Sequence, residues 1–458
     1  MTLTLHSLGG AGTVTGSRHL IEHDGRRIMV DCGLFQGYKT LRERNWKPFP
    51  VSPKSIDAII LTHAHLDHSG YLPKLVREGF EGPIFCSSAT ADLCEILLKD
   101  SAFIAEKDAF LANKHKYTKH TPALPLYTIK DAEAALKQLR PIPFHKEVEL
   151  PGGGYVQLRR AGHILGAANA ELRWGGKTMV FSGDIGRYDD PFMLDPEAVE
   201  TADYVIVEST YGDRTHPKND PMDALGDVIE KTVQRGGTLV IPAFAVGRAQ
   251  LIMYYLWKLK QAGRIKVVPI FLDSPMAINA TDLLCRHLDD HRLSPEICKQ
   301  SCDIATYLRE VDDSKRITRD NMPKVVIAAS GMLTGGRVLH HLKAFGQDER
   351  NTILFSGYQA GGTRGEKILN GADSVKMFGQ WFPIRAQIES LPVLSAHADS
   401  DEILKWLSGF KNIPARTFIV HGEPKASDAL RMRIEDDLGW DSTVVDPVDR
   451  YRLESQTP

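Results

Sequence analysis

The 458-residue sequence has no apolar run approaching the ~18 residues of a membrane span. Its longest, Leu239 to Gly247, holds a proline and reads as a buried strand running into a loop. The first residues, Met1-Thr-Leu-Thr-Leu-His6, lack the basic and apolar regions of a secretory leader. No segment is low in complexity, and no repeat recurs at a period of roughly 20 to 50 residues. Excess charge is missing too: 56 Lys+Arg against 58 Asp+Glu leave a formal -2, so charge alone does not point to nucleic acid. The six cysteines, at 32, 86, 94, 285, 298 and 302, form no C-x-x-C pair and no disulfide-like framework. That predicts a reducing, cytoplasmic setting and no membrane partner. Cys298 and Cys302, four apart, share a face if helical, but two thiols alone predict no site.

What is present is a globular composition. Hydrophobic residues make up 42% and charged residues 25%, with 38 Gly and 25 Pro spread along the chain, which excludes disordered, collagen-like and coiled-coil classes.

The first part reads as strands and hairpins. Leu3 to Leu8 alternates, and Asp24-Gly25 between His19–His23 and Arg27–Val30 signals a type I′ turn. Ile56 to Leu61 is a buried strand, followed by a polar loop and an amphipathic helix over Tyr71 to Glu78. Helical spacing covers Ala91–Leu111 and Asp131–Leu139, with Lys114 to His120 as a solvated helix end. A second hairpin turns at Gly175-Gly176. From about residue 203, strands at Tyr204–Val207, Thr238–Ile241, Val267–Leu272, Val325–Ala328 and Thr352–Phe355 alternate with helices such as Arg248–Lys260 and Ala277–His287. That rhythm predicts a parallel sheet with crossover helices. Thr417–Val420 and Ala426–Leu438 complete the chain as strand and helix.

The most informative segment is Thr62-His63-Ala-His65-Leu-Asp67-His68-Ser-Gly70, directly after a buried strand. Residues 63 and 65 point the same way if the chain stays extended, and a turn can aim Asp67 and His68 at a second point. Imidazole nitrogen and carboxylate oxygen are the ligands of hydrolytic zinc sites. Further ligands are expected at strand ends beside glycine. His163 (Ala-Gly-His-Ile-Leu-Gly), Asp184 (Ser-Gly-Asp-Ile-Gly) and His421 (Val-His-Gly-Glu) fit, and Asp31 has the same placement.

With these residues in view, the sequence resembles the metallo-β-lactamase fold. The resemblance implies His63, His65 and His163 on one zinc, Asp67 and His68 on the other, Asp184 bridging both, and Asp31 shaping the site. Glu208 (Val-Glu-Ser-Thr-Tyr-Gly), His397 (Ser-Ala-His-Ala-Asp) and His421 flank or follow a long strand–helix block, an arrangement similar to the β-CASP nucleases. They match that family's motifs A, B and C, and a His at motif C goes with RNA-directed members. The fold implied is α/β: an αββα sandwich formed by residues 1–207 and 387–458, interrupted by a β-CASP α/β domain at 208–386 with a parallel sheet flanked by helices. The function implied is hydrolysis of phosphodiester bonds in single-stranded RNA by an endonuclease, with 5′→3′ exonuclease activity left open as an addition. Two Zn2+ per chain would activate a hydroxide, since zinc lowers the pKa of bound water to ~7. Catalysis would involve Asp67, Asp184, Glu208 and His397, with His397 protonating the leaving 3′-oxygen and Glu208 orienting it. Products would carry 5′-phosphate and 3′-hydroxyl. A homodimer is compatible with the family.

Gly331-Met-Leu-Thr-Gly-Gly336-Arg has Walker-like glycine spacing but lacks the Lys-Ser/Thr of an ATP site, so no nucleotide cofactor is expected. Arg248, Ser330, Gly331, Gly362, Thr363 and Arg364 are candidates for substrate phosphate, and Tyr211 and Tyr358 for base stacking. Two other readings compete. One is a hydrolase of another substrate: DNA, which the chemistry alone does not exclude, or a small ester or lactam, which would not need the inserted block. A non-catalytic RNA-processing scaffold would be expected to have lost ligand motifs, which are intact here.

Overall fold

A computed structural model describes residues 3–116, 118–265, 268–447 and 449–453. Among these residues no helix is long and apolar enough to cross a membrane. The chain divides into two compact units, Met1–Thr215 with His397–Pro458, and His216–Ala396.

Two seven-stranded sheets build the first unit. One runs Arg450–Leu453, Leu3–Gly9, Arg18–His23, Arg26–Val30, Ala58–Ile60, Ile84–Cys86, Leu139–Pro141. The other runs Ser442–Val444, Arg416–Val420, Tyr204–Glu208, Lys177–Phe181, Ala168–Trp174, Tyr155–Arg160, Val148–Glu149. Leu5, Ile21, Ile28 and Ile60 from one sheet meet Val156, Leu172, Phe181, Ile206 and Phe418 from the other in a shared core. The outer face of the second sheet, through Val180, Val205, Val207 and Ile419, packs on Ile403, Trp406, Leu407 and Leu430. These residues belong to helices Ser400–Leu407 and Pro424–Arg433. Helices Leu72–Arg77, Ser88–His115 and Ile129–Leu136 pack together beside the first sheet, giving helix–sheet–sheet–helix layers. Both hairpin turns have positive φ at their two central residues, Asp24 and Gly25 at 50° and 77°, Gly175 and Gly176 at 59° and 74°. This is the type I′ geometry that those residue types favour.

The second unit holds a six-stranded sheet in the order Thr306–Tyr307, Ile270–Leu272, Lys324–Ala328, Thr238–Pro242, Thr352–Phe355, Gln387–Ser390. Every pairing in it is parallel. Its central strands are buried throughout, as expected of a sheet covered on both faces. One face packs Val240, Val326 and Phe355 against Leu339, Leu342 and Phe345.

The unit boundaries lie beyond the 207 and 386 read from the sequence. Ser209 to Arg214 stay with the first unit because the Ser209 N–H donates to the His421 carbonyl at 3.3 Å and the Ser400 N–H to the Arg214 carbonyl at 3.1 Å. At the other end Gln387–Ser390 pairs with Thr352–Phe355, so those residues belong to the second unit. The strand read from Val267 begins at Ile270, and Val267 itself lies outside the described residues. Helix Ser88–His115 ends where Lys116 takes a left-handed φ of 51°, and Tyr117 of the adjoining basic stretch is also outside them.

Candidate metal centre

The strand Ala58–Ile60 is wholly buried and ends with the Leu61 N–H donating to the Phe85 carbonyl at 2.8 Å. The chain then leaves the sheet and forms a short helical turn, Leu66–Ser69. Gly33 makes this turn fit, because a β-carbon there would collide with the Asp67 carbonyl. Gly186 plays the same part between two other loops: its β-carbon would meet the Gly162 carbonyl, and its N–H donates to the Ala161 carbonyl at 2.8 Å. That close approach sets the loop of His163 beside the loop of Asp184.

Four ligand atoms, from His63, His65, His163 and Asp184, lie within 4.8 Å of one another. A second set, from Asp67, His68 and His421, is equally close. Asp184 faces both. Its Oδ2 is 3.4 Å from His63 Nε2 and 3.6 Å from His163 Nε2. Its Oδ1 is 3.2 Å from His68 Nε2 and 3.4 Å from His421 Nδ1. Asp31 stands behind the cluster with a left-handed φ of 60°. It accepts the Thr62 N–H at 2.8 Å and lies 2.7 Å from His68 Nδ1, so it orients that ring. Thr62 Oγ1 also reaches His63 Nδ1 at 3.2 Å. His421 is held in turn by a bond from its N–H to the Gly10 carbonyl at 2.5 Å, again with a left-handed φ of 49°.

Burial pushes His63 and His163 below the ordinary imidazole value and His65 down to about 3, so all three are neutral, the form that binds metal. Burial opposes ionisation of Asp184 and Asp67, but the surrounding imidazoles outweigh it and hold both carboxyls low. His68 is also desolvated, yet Asp184 and Asp31 raise it well above its usual value. A cation there would take the place of that proton.

The donor set fits zinc. Imidazole nitrogens of His63 and His65, and of His163 and His65, approach to 3.2 Å, and among the described residues the buried Asp184 Oδ1 has no hydrogen bond of good geometry. Neutral imidazoles and carboxylates crowded lone pair to lone pair out of water are costly unless a cation sits among them.

Beside this cluster, His397 Nδ1 lies 3.3 Å from Glu208 Oε1 and 3.9 Å from Asp184 Oδ2. Burial lowers His397, but the Glu208 carboxylate, helped by Asp184 and Asp67, raises it above the ordinary value overall. Glu208 is buried at the end of its strand and accepts the Ile185 N–H at 2.7 Å. Tyr211 is buried edge-on to His397 at 6.1 Å between ring centroids, so it packs the histidine rather than offering an open stacking face.

The remaining candidates lie in the second unit, around two joined loops. Gly365 N–H donates to the Met332 carbonyl at 3.3 Å, and Arg364 donates to the Leu333 and Lys376 carbonyls at 3.0 and 2.8 Å. Thr363 caps helix Arg364–Leu369, and Ser330 Oγ accepts the Thr334 N–H at 3.0 Å. Gly331 packs against Phe244, Gly362 has a φ of 81°, and Arg248 opens its helix beside Gly357. The fold itself thus employs Ser330, Thr363 and Arg364. Sequence reasoning missed Thr62 and Thr210, whose hydroxyls contact the imidazoles of the candidate ligands His63 and His421 at 3.2 Å. Their only signal was position next to a motif residue.

Comparison with known proteins gives concordant matches. Residues 12–227 match the metallo-beta-lactamase superfamily, 249–368 the Beta-Casp domain and 381–445 the Zn-dependent metallo-hydrolase RNA specificity domain. Ribonuclease TTHA0252 of Thermus thermophilus is 39% identical over 430 residues, covering 92% of this chain and 94% of that one. Transcription termination factor FttA of Methanosarcina mazei is 31% identical, covering 98% of this chain and 71% of that one. A crystal structure of a protein of unknown function from Enterococcus faecalis covers 99% of this chain and 100% of that one with a TM-score of 0.54 at 10% identity, a likeness of fold alone.

Proposed function

The chain belongs to the β-CASP branch of the metallo-β-lactamase superfamily, and from that premise we propose that it is a zinc-dependent ribonuclease. Its substrate is single-stranded RNA in the cytoplasm, cut endonucleolytically with 5′→3′ exonuclease activity in addition. The observation that carries this reading is Asp184, whose two oxygens face two separate ligand sets. The names of its relatives, a ribonuclease and transcription termination factors, support RNA as the substrate class.

His63, His65 and His163 would hold one zinc and Asp67, His68 and His421 the other, with Asp184 shared between them. Bound there, two zinc ions supply Lewis-acid activation of water and of the scissile phosphate. His397 delivers a proton to the leaving 3′-oxygen. With Nδ1 engaged by Glu208, Nε2 is the nitrogen assigned to that transfer. Glu208 orients the ring and favours its protonated form. Water adds to phosphorus, the P–O3′ bond breaks, and the products carry 5′-phosphate and 3′-hydroxyl. No step uses the RNA 2′-hydroxyl, so selection of RNA falls to binding rather than chemistry. Arg248, Gly331 and Gly362, with Ser330, Thr363 and Arg364 in the adjoining loops, remain the proposed phosphate contacts.

The test compares linear RNA, circular RNA and single-stranded DNA with the zinc-loaded protein. Cleavage of the circle is expected, with DNA cut more slowly. Equal rates on DNA would overturn RNA selectivity, and a protein purified without metal would overturn the zinc reading.

A further inference from the structure

Away from the metal centre, the second unit brings three cysteines together. Cys285 follows helix Pro275–Leu284, and Cys298 and Cys302 lie on helix Pro295–Cys302. Their spacing of four puts Cys298 and Cys302 on one helical face. The loop between the helices folds back so that Cys285 Sγ lies 2.7 Å from Cys298 Sγ and 3.7 Å from Cys302 Sγ. All three sulfurs lie within 4.8 Å of one another. Cys298 and Cys302 are buried.

The same loop carries a buried imidazole, His291. Its Nε2 lies 3.0 Å from the Leu284 carbonyl, and its Nδ1 accepts the Leu293 N–H at 3.1 Å. Hydrogen bonds from Cys302, His291 and Cys285 pull the Cys298 thiol down despite burial.

We propose that Cys285, Cys298, Cys302 and His291 form a structural zinc site that ties these two helices together. The three sulfurs would supply three donors of a closed tetrahedral Cys3His site, and His291, the hydrogen-bond neighbour of Cys298, would turn in as the fourth. A disulfide would consume two sulfurs and leave a third thiol and an imidazole crowded against it. A cation explains the convergence of the three sulfurs, because thiolates repel unless one lies between them. Zinc bound at ~2.3 Å to each sulfur would space them about 3.8 Å apart. Cys285 and Cys302 already have that spacing at 3.7 Å, and Cys298 would move outward by a fraction of its radius. The Nε2–H bond to the Leu284 carbonyl is the arrangement that fixes the tautomer of a ligating histidine. Nδ1 would then exchange the Leu293 N–H for the metal. Soft sulfur ligands select zinc over magnesium or calcium.

The site is distinguishable from the histidine–aspartate centre because only it supplies sulfur. In full-length protein loaded with Co2+, a thiolate-to-cobalt charge-transfer band is expected in the near ultraviolet. It should persist in His63→Ala, which damages the other centre, and disappear in Cys298→Ser. Zinc content should fall by one per chain in Cys298→Ser. Should Cys298→Ser fail to fold, two measurements still decide the matter: in the wild-type protein zinc should protect all three thiols from alkylation, and the variant Cys302→His should keep the metal. Absence of the band with a folded protein, full alkylation of the three thiols in the presence of zinc, or a Cys285–Cys298 disulfide in protein prepared under reducing, anaerobic conditions would each overturn the site.

Discussion

Glu208 pairs in register with Val420, so Glu208 and His421 leave the second sheet side by side although the inserted unit separates them in sequence. His397 then closes on Glu208 at 3.3 Å. Removing the carboxylate charge while keeping its shape isolates what it does to the ring. Glu208→Gln should move the basic limb of the kcat pH profile toward lower pH, because the imidazolium loses its neighbouring anion and gives up its proton sooner. His397→Ala should lower kcat by about 10²- to 10⁴-fold, the usual contribution of a general acid, with metal content unchanged. A normal rate in His397→Ala would remove it from the proton-donor role.

Asp31 touches Thr62 and His68 rather than the ligand face of the cluster. Asparagine tolerates its left-handed φ, so Asp31→Asn tests charge without backbone strain. Loss of the anion behind His68 should weaken metal binding by about 10- to 100-fold, read by competition against a chelator. Unchanged affinity would mean that Asp31 serves the backbone alone.

In the second unit, Asp273 is a buried carboxylate contacted by His341 at 2.6 Å, Arg337 at 2.6 Å and Ser314 at 2.5 Å. Burial raises its pKa, but these three partners outweigh burial and hold it below the usual value. A depressed native pKa means the unfolded state binds protons first as pH falls. The stabilisation is therefore complete above the unfolded value of ~3.9 and is lost as pH drops through the native one. Asp273→Asn should cost about 3–5 kcal/mol at neutral pH and flatten the acid limb of stability, measured by urea unfolding across a pH series.

Gly186 meets the Gly162 backbone, which has no flexible end to yield. Gly186→Ala should push the His163 loop off the Asp184 loop, lowering stability by about 1–3 kcal/mol. Zinc content should fall together with the melting temperature; a fully metallated variant would show that the loops have slack.

Much of the local structure was legible because it depends on short spacings. Asp24-Gly25 and Gly175-Gly176 turn as their residue types dictate, and unbroken apolar runs such as Thr238–Pro242 mark strands buried on both faces. The candidate ligand residues could be picked out for the same reason, since His and Asp beside glycine at strand ends are visible without a fold. The Cys285 partnership was not, because the pattern showed only Cys298 and Cys302, four apart. Nor were the unit boundaries, which depend on which backbone groups Ser209 to Arg214 and Gln387–Ser390 bond to.

By itself, the sequence determined which residue types were available, where strands and turns fall, and which side chains can donate to a metal. Those are properties of neighbours along the chain. Only the tertiary structure decided that the two oxygens of Asp184 face different sets, that His397 meets Glu208, and that a loop carries Cys298 and Cys302 back against Cys285. Such distances are set by strand register and by close backbone approach between residues far apart in sequence. No local pattern encodes them.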